Sequence, residues 1–575
     1  MIKTLLKSVR EYRKDSFLSP VYVTLESLIE VIIPLLLARL IDQGIEPGNM
    51  NAIMKIGITM LVLSLLSLLV GILASRSSSI ASTGFARNLR YDAFNAVQDY
   101  SFKNIDKFST SSIVTRLTTD ITNIQHAYQM SIRMAVRSPM MLILSLVMAF
   151  SINRRLSLVF LAAIPILGGG LILIATKAFP VFEKVFRTYD ELNNVVEEDA
   201  SGIRAVKSFV REDYEIEKFR GVSEKMRSLN FKAEFILAFN SPLMNFCVYG
   251  CMLLISWFGA KLIVGGTMTT GELTSLISYC MQILMSLMML SMVFVMIIMS
   301  RASMRRVYEL LVEDVDLAEP DAPVAEVRDG SIRFNDVDFG YVEGKIVLKD
   351  IDLRIESGEV VGILGGTGSG KSTLVSLIPR LYDATQGSVE VGGVDVREYD
   401  IKTLRDAVAM VLQQNTLFSG TIKDNMRWGN ENATDEEIIE ACKVAQADKF
   451  INEFPDKYDT WIEQGGTNVS GGQKQRLCIA RAMLKKPKIL ILDDSTSAVD
   501  TKTDALIRKG FKSVIPGTTK IIIAQRIASV MDADHVIVLD NGRINGYGTH
   551  EELIRSNKIY QEVYETQVKG GAIDE

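Results

Sequence analysis

The sequence predicts two domains of different class: an all-α, six-helix transmembrane domain with long cytoplasmic helical extensions, followed by an α/β domain. Three observations predict this. Long apolar runs dominate the chain up to about residue 310. After Pro320 and Pro323, short apolar strands alternate with charged and glycine-rich turns. One of those strands, "VVGIL", runs directly into the glycine-rich stretch Gly365–Thr373. A chain of 575 residues is long enough for two cores, and the segment "VDLAEPDAPVAEVRDG" reads as the join between them. The expected boundaries are 1–314 for the membrane domain, 315–330 for the linker and 331–575 for the α/β domain.

A helix needs about 20 apolar residues to cross a bilayer core. Ile56–Ser75, Ser138–Asn153, Leu156–Thr176, Phe235–Ala260 and Leu273–Ser300 carry no acidic or basic side chain in their interiors beyond those at their edges, and Phe17–Leu40 is as long but holds Glu26 and Glu30. The loops "DQGIEPGNMN", "NRR" and "KLIVGGTMTTGE" are short and, Arg154 and Arg155 apart, poor in basic residues. The opposite side receives Lys3, Lys7, Arg10, Arg13 and Lys14 and the long segments that follow the second and fourth spans. By the positive-inside rule, both termini are expected in the cytoplasm. The N-terminal stretch is basic and amphipathic and lacks a cleavage site, so a surface-lying helix is expected there.

A net charge of −5 speaks against a nucleic-acid binder, which ordinarily carries a basic stripe. The five cysteines show no CxxC pair and no His/Cys metal spacing, so they read as structural thiols.

The glycine-rich stretch carries the chemistry. Gly365, Gly366, Thr367, Gly368, Ser369, Gly370, Lys371, Ser372 and Thr373 match G-x-x-x-x-G-K-[ST] between a strand and a helix. In that context, backbone N–H groups cradle phosphates at a helix N-terminus, Lys371 reaches the β- and γ-phosphates, and Ser372 ligates magnesium. ATP and Mg²⁺ are the expected ligands of a P-loop nucleotide-binding domain. The later strand "ILILDD" offers Asp493 as the acidic partner of the metal.

Between these two motifs lies "NVSGGQKQRL", which resembles the signature of the ATP-binding cassette (ABC) family, with Val469 in place of leucine. The resemblance implies that Ser470, Gly471, Gly472 and Gln473 bind the γ-phosphate held by an opposing cassette. By position it implies that Tyr341 stacks on adenine and that Gln413 senses magnesium and the γ-phosphate. The loop "STSAVD", ending in Asp500, would cross the dimer interface, and "EQGG" is similar to the contact loop of exporters. In the membrane half, the resemblance places short coupling helices near Asn104–Thr110 and Asn194–Arg204, the first docking on its own cassette or on the other's.

Two positions depart from the family pattern. Asp494 stands where hydrolytic members carry glutamate, and Gln525 stands where they carry histidine; none of the three histidines, His126, His535 and His550, falls there. A general base must lie within about 2.6–3.2 Å of its proton, and aspartate is one methylene short. Glutamine cannot carry a proton as imidazole can. The sequence thus resembles the degenerate-site subunit of heterodimeric bacterial multidrug exporters, whose expected partner is a second half-transporter. A homodimer with weak ATPase and an ATP-gated membrane regulator are the alternatives. The expected setting is the lipid bilayer of the plasma or inner membrane, and the expected substrates are small amphipathic molecules such as drugs or lipids.

Two features suggest where a substrate would sit. Met285, Met288 and Met292 belong to a methionine stripe on the last span, which reads either as a pliable cavity lining or as a packing seam. Glu26 and Glu30, four apart on one face of the first span, would favour cationic substrates if open to the cavity, or form an ion pair with Arg133 or Arg137.

Overall fold

A computed structural model describes the chain except Ala318, Glu343, Thr496–Ala498 and 570–575; of Phe186, Thr501, Val568 and Lys569 it describes the backbone alone. The chain divides into two compact units, Met1–Asp99 with Phe108–Glu313, and Tyr100–Lys107 with Asp314–Glu575.

The first unit is helical. Its main helices are α1 (Arg13–Leu40), α2 (Met50–Gln98), α3 (Ile121–Ile152), α4 (Arg154–Ser208), α5 (Glu212–Ala238), α6 (Asn240–Val264) and α7 (Thr270–Val312). Among the described residues, six helical stretches are long and apolar enough to cross a membrane. The three short loops each end in a capping side chain that starts the returning helix. Asn49 accepts from Ala52 N, Asn153 accepts from Arg155 N and Leu156 N, and Thr269 forms a reciprocal capping box with Glu272. On the other side the spans simply continue, so that α2 has 49 residues and α4 has 55. At about 1.5 Å per residue, each outruns a bilayer core by half its length or more. The segment Asn194–Arg204 is therefore part of an unbroken helix, and the chain reverses later, at Phe209–Arg211, where Val210 takes a left-handed φ of 52°. The helix carries Gly202 without ending there and continues to Ser208. The N-terminal stretch is helical from Ile2 but kinks at Arg10, whose φ is 40°.

Phe160, Leu167, Ile255, Leu276 and Ile283 form the centre of this unit, packed among α1, α3, α4, α6 and α7. Hydroxyls on α7 bind backbone carbonyls near Pro34, which interrupts the hydrogen-bond ladder of α1: Tyr279 donates to Val31 O at 2.7 Å, and Ser275 donates to Pro34 O.

Glu26 and Glu30 are not open. Arg137 on α3 donates to Glu26 Oε1 at 2.6 Å and to both oxygens of Glu30 at 2.8 Å. Gly71 on α2 makes room for this, since a Cβ there would come within 3.0 Å of Glu26 Oε1. Of the two readings of these carboxylates, the contacts are those of the ion pair with Arg137, in which one guanidinium faces two carboxylates. Removing one member of a buried ion pair typically costs about 3–5 kcal/mol, because it strands the other charge. Arg137→Ala is expected to destabilise the protein on that scale in detergent unfolding experiments, and adding Glu26→Gln and Glu30→Gln is expected to recover most of the loss. An Arg137→Ala protein as stable as the parent would contradict the assignment.

The second unit is α/β. Strands β1 (Ile332–Phe339), β2 (Leu348–Ile355), β4 (Gln386–Val391) and β5 (Val394–Asp395) form an antiparallel sheet in the order β2-β1-β4-β5. A second sheet runs β12-β11-β3-β10-β9-β6, from β3 (Val360–Leu364), β6 (Val408–Val411), β9 (Ile489–Asp493), β10 (Thr519–Ile523), β11 (His535–Asp540) and β12 (Arg543–Gly548). All its pairings are parallel except that of β11 with β12. β9 and β10 are buried at every position, as strands covered on both faces must be. Gly420–Thr421 and Trp461–Ile462 pair as β7 and β8.

Tyr100–Lys107 belongs to this unit. Tyr382 donates to Asp106 Oδ2 at 2.8 Å and Asn104 Nδ2 donates to Asp314 O at 3.1 Å, so the start of the segment expected near Asn104–Thr110 packs within this unit.

Candidate functional site

Parallel strands present their carboxyl ends along one edge of a sheet, and ligands bind there. Ile363 of β3 pairs with Ile523 of β10, which pairs with Asp493 of β9, and the neighbouring Leu492 pairs with Val411 of β6. This row brings four loops together: Gly365–Lys371 after β3, Asp494 after β9, Gln525 after β10 and Gln413 after β6.

The loop after β3 is shaped by its glycines. Gly368 and Gly370 have φ of 81° and 99°, which side chains resist. A Cβ at Gly365 would strike Leu539 O, and one at Gly370 would come within 2.8 Å of Leu348, whereas Gly366 and Gly368 face open space. Two glycines thus let the loop pack down, and two leave its outer side bare. Lys371 opens the helix Lys371–Ser376 and donates to Gly365 O and Gly366 O at 2.9 and 2.8 Å. Burial pushes its pKa down, opposed by the charges of Asp494 and Asp493. Burial pushes Asp493 up, partly offset by a hydrogen bond from Ser372. Ser369 Oγ is buried without a hydrogen-bond partner. A half-buried cation, a buried carboxylate and an unpaired hydroxyl around a bare glycine surface suit a polyanion and a hard cation.

The donor set fits Mg²⁺. Ser372 and Asp493 both offer the oxygen ligands that this ion prefers. Among the described residues no cluster of three or more His, Cys, Asp or Glu side chains could hold a metal. Magnesium needs none, because phosphates and water complete its shell. Gln413 is exposed in the loop after β6.

Tyr341 lies just past β1 with its ring edge-on to Phe339 and Tyr382 at 5.0 and 5.2 Å. Its hydroxyl shares a hydrogen bond with Thr373 Oγ1 at 3.0 Å, which ties this exposed aromatic to the phosphate loop. Thr373 thereby acquires a second role that its place in the loop motif did not reveal.

Asp494 and Gln525 meet directly. Gln525 Nε2 donates to Asp494 Oδ2 at 2.7 Å, and Asp494 is held in a left-handed conformation, φ 48°, with its N–H bound to Ile523 O. Asp494 is only 8% exposed.

The "NVSGGQ" segment starts the helix Gly471–Leu484. Ser470 and Gln473 cap it reciprocally, Ser470 N donating to Gln473 Oε1 at 2.9 Å and Gln473 N to Ser470 Oγ at 3.3 Å. With both capping side chains satisfied, the N–H groups of Gly471 and Gly472 are left for a ligand at an exposed helix start. In "EQGG", Gly465 and Gly466 take φ of 73° and 67°, and Lys474 Nζ binds Gly465 O at 2.6 Å. Of "STSAVD", Thr496, Ser497 and Ala498 lie outside the described residues; Asp500 caps the helix Thr501–Val514 by accepting from Thr503 N at 2.9 Å. In the membrane unit, Met285 and Met292 are exposed on α7, and Met288 is half-buried against the core.

Two family models match the chain: "ABC transporter transmembrane region" over residues 16–288 and "ABC transporter" over 348–497. An uncharacterised ABC transporter ATP-binding protein of Bacillus subtilis is 34% identical over 563 residues, 98% of each chain. A similar protein of Mycobacterium tuberculosis is 35% identical over 573 residues, covering 99% of this chain and 98% of its own. An ATP-dependent lipid A-core flippase of Desulfotalea psychrophila is 34% identical over 500 residues, 84% of each chain. The solved structure of a bacterial Atm1-family ABC exporter with ATP bound superposes with a TM-score of 0.83 at 25% identity, covering 97% of this chain and 99% of that one.

Proposed function

The chain belongs to the ABC transporters as an exporter half-transporter, a six-helix membrane domain and an ATP-binding cassette on one polypeptide, and on that premise we propose that it is the slow-site member of a heterodimeric exporter. ABC exporters act as membrane dimers that couple ATP hydrolysis to the movement of small molecules. Within such a dimer, this chain's P-loop holds ATP mainly as a clasp between the cassettes, while its signature loop completes the fast site of the partner.

The observation that carries the proposal is the contact of Gln525 with Asp494 at 2.7 Å. An amide donor engages one of the two carboxylate oxygens, and the carboxylate sits on a side chain one methylene shorter than glutamate. Glutamine has no titratable group with which to take up and return a proton. Binding is built differently. Lys371 and the bare side of Gly366 and Gly368 position the triphosphate, and Tyr341 positions the base. Ser372 and Asp493, with Gln413, would hold Mg²⁺, which when bound neutralises phosphate charge. None of these groups depends on Asp494 acting as a base, so ATP is held while water attack is slow. The capped start of Gly471–Leu484 offers its free N–H groups outward, as the partner's γ-phosphate requires.

The proposed orientation places both termini and the cassette in the cytoplasm of a bacterial-type cell membrane, following the basic residues. The proposed cargo is small and amphipathic, and the relative that is a lipid A-core flippase supports a lipid-like member of that class. Exposed Met285 and Met292, with Met288, form the proposed lining, since flexible thioethers adapt to varied apolar shapes. Leucine at all three is expected to change the relative transport of a panel of amphipathic substrates in proteoliposomes; an unchanged ranking would remove the lining from the account. Loss of a general base typically costs about 10²- to 10⁴-fold. In the purified heterodimer, replacing the partner's catalytic glutamate is therefore expected to abolish nearly all ATPase activity, whereas Asp494→Ala lowers it less than about twofold. Equal losses from the two variants would sink the division of labour.

A further inference from the structure

We propose that the C-terminal helix clasps the loop carrying Gln525, and that Gln567 is a positioning residue for this chain's ATP site. Gln567 Nε2 donates to Gln525 O at 2.8 Å, and Gln567 Oε1 accepts from Ile527 N at 2.8 Å. One carboxamide therefore satisfies a carbonyl and an N–H two residues apart, as a neighbouring strand would. Only asparagine or glutamine carries donor and acceptor on one such group, and glutamate and leucine cannot replace both bonds.

The clasp reaches from a fixed body. The helix Lys558–Tyr564 is capped by Asn557, which accepts from Tyr560 N at 3.0 Å and donates to Asn545 Oδ1 at 2.9 Å. Tyr560 is fully buried, and its hydroxyl is bonded to His550 Nδ1 at 2.6 Å. Gln567 lies in the turn that extends this helix, Glu565–Lys569. On the other side, the loop is anchored by Ser529, which donates to Asp504 Oδ2 at 3.0 Å, and by the buried Ile527. Between those anchors, the backbone of Gln525 is held by Gln567 and its side chain is held on Asp494. A chain of hydrogen bonds thus runs from the C-terminal turn to the carboxylate beside the phosphate loop.

The consequence rests on the slow-site reading above. With the clasp closed, Gln525 keeps Asp494 Oδ2 engaged. With the clasp open, the loop gains freedom, the amide leaves the carboxylate part of the time, and that oxygen becomes available to water. The C-terminal turn then sets how slow the slow site is, and anything that displaces it during the transport cycle would regulate this chain's hydrolysis.

Two measurements on the full-length complex test this. In hydrogen–deuterium exchange, Gln567→Ala is expected to speed exchange of the peptide amides around Ile527 by about 2- to 10-fold, the range one neutral hydrogen bond supports. Gln567→Glu, which keeps the acceptor and loses the donor, is expected to fall between the two. In complexes whose partner glutamate has been replaced, Gln567→Ala is expected to raise residual kcat about 2- to 10-fold at unchanged KM for ATP. It is expected to add nothing once Gln525 is alanine. Unchanged exchange, or a kcat effect that persists without the Gln525 amide, would overturn the proposal. Faster exchange together with a strong loss of total turnover in Asp494→Ala would leave the clasp standing and overturn only the slow-site reading on which its consequence rests.

Discussion

The parallel pairing of β3, β10 and β9 is the constraint on which the cassette depends. Because Ile363, Ile523 and Asp493 share one row, the phosphate loop, the magnesium carboxylate and the switch loop must emerge side by side. The row is held by strands buried on both faces, so the register cannot slip without moving apolar side chains out of the core. Chemistry at the edge then follows from which side chain lies one or two residues past each strand end. Asp494 and Gln525 occupy such positions, and they meet because the register makes them meet. Their contact is a property of the sheet as much as of the two residues.

The membrane unit answers a different constraint, the absence of water to satisfy polar groups. Its helices close their own backbone bonds, and near Pro34 hydroxyls from α7 add bonds to the carbonyls of Val31 and Pro34. Its charges are handled the same way, with Arg137 paired to both Glu26 and Glu30. Two carboxylates and one guanidinium among apolar helices fix the packing of α1 against α3. That role accounts for their presence through helix packing alone.

The sequence made much of this legible for physical reasons that are local. Spans follow from length and hydropathy, and the loops that separate them end in Asn49, Asn153 and Thr269, residue types that cap helices. The phosphate loop is legible because glycine at Gly368 and Gly370 serves backbone angles that other residues resist. What was hidden is what depends on tertiary neighbours. The four-residue spacing of Glu26 and Glu30 set them on one face, but whether a cavity or Arg137 met that face depended on helix packing. The reversal at Phe209–Arg211 lies beyond the expected position because Asn194–Arg204 holds no proline and the helix carries its one glycine, Gly202, without ending there. Gln567 carried no signal at all: an exposed glutamine near a chain end acquires its partners only when the C-terminal helix folds back onto the loop after β10.

These elements combine in one account, in which the site is competent to bind and poor at hydrolysis. A half-buried Lys371 beside a buried Asp493 favours ATP with magnesium, while Asp494 is engaged by Gln525. The most direct measurement is the fate of the γ-phosphate on each chain. The heterodimer would be photolabelled with an azido-adenine ATP carrying a γ-phosphate label after several turnovers. The adenine would attach to the chain whose tyrosine it stacks on. The account predicts that nucleotide attached to this chain retains its γ-phosphate while nucleotide attached to the partner has lost it. Equal loss from the two chains would contradict it.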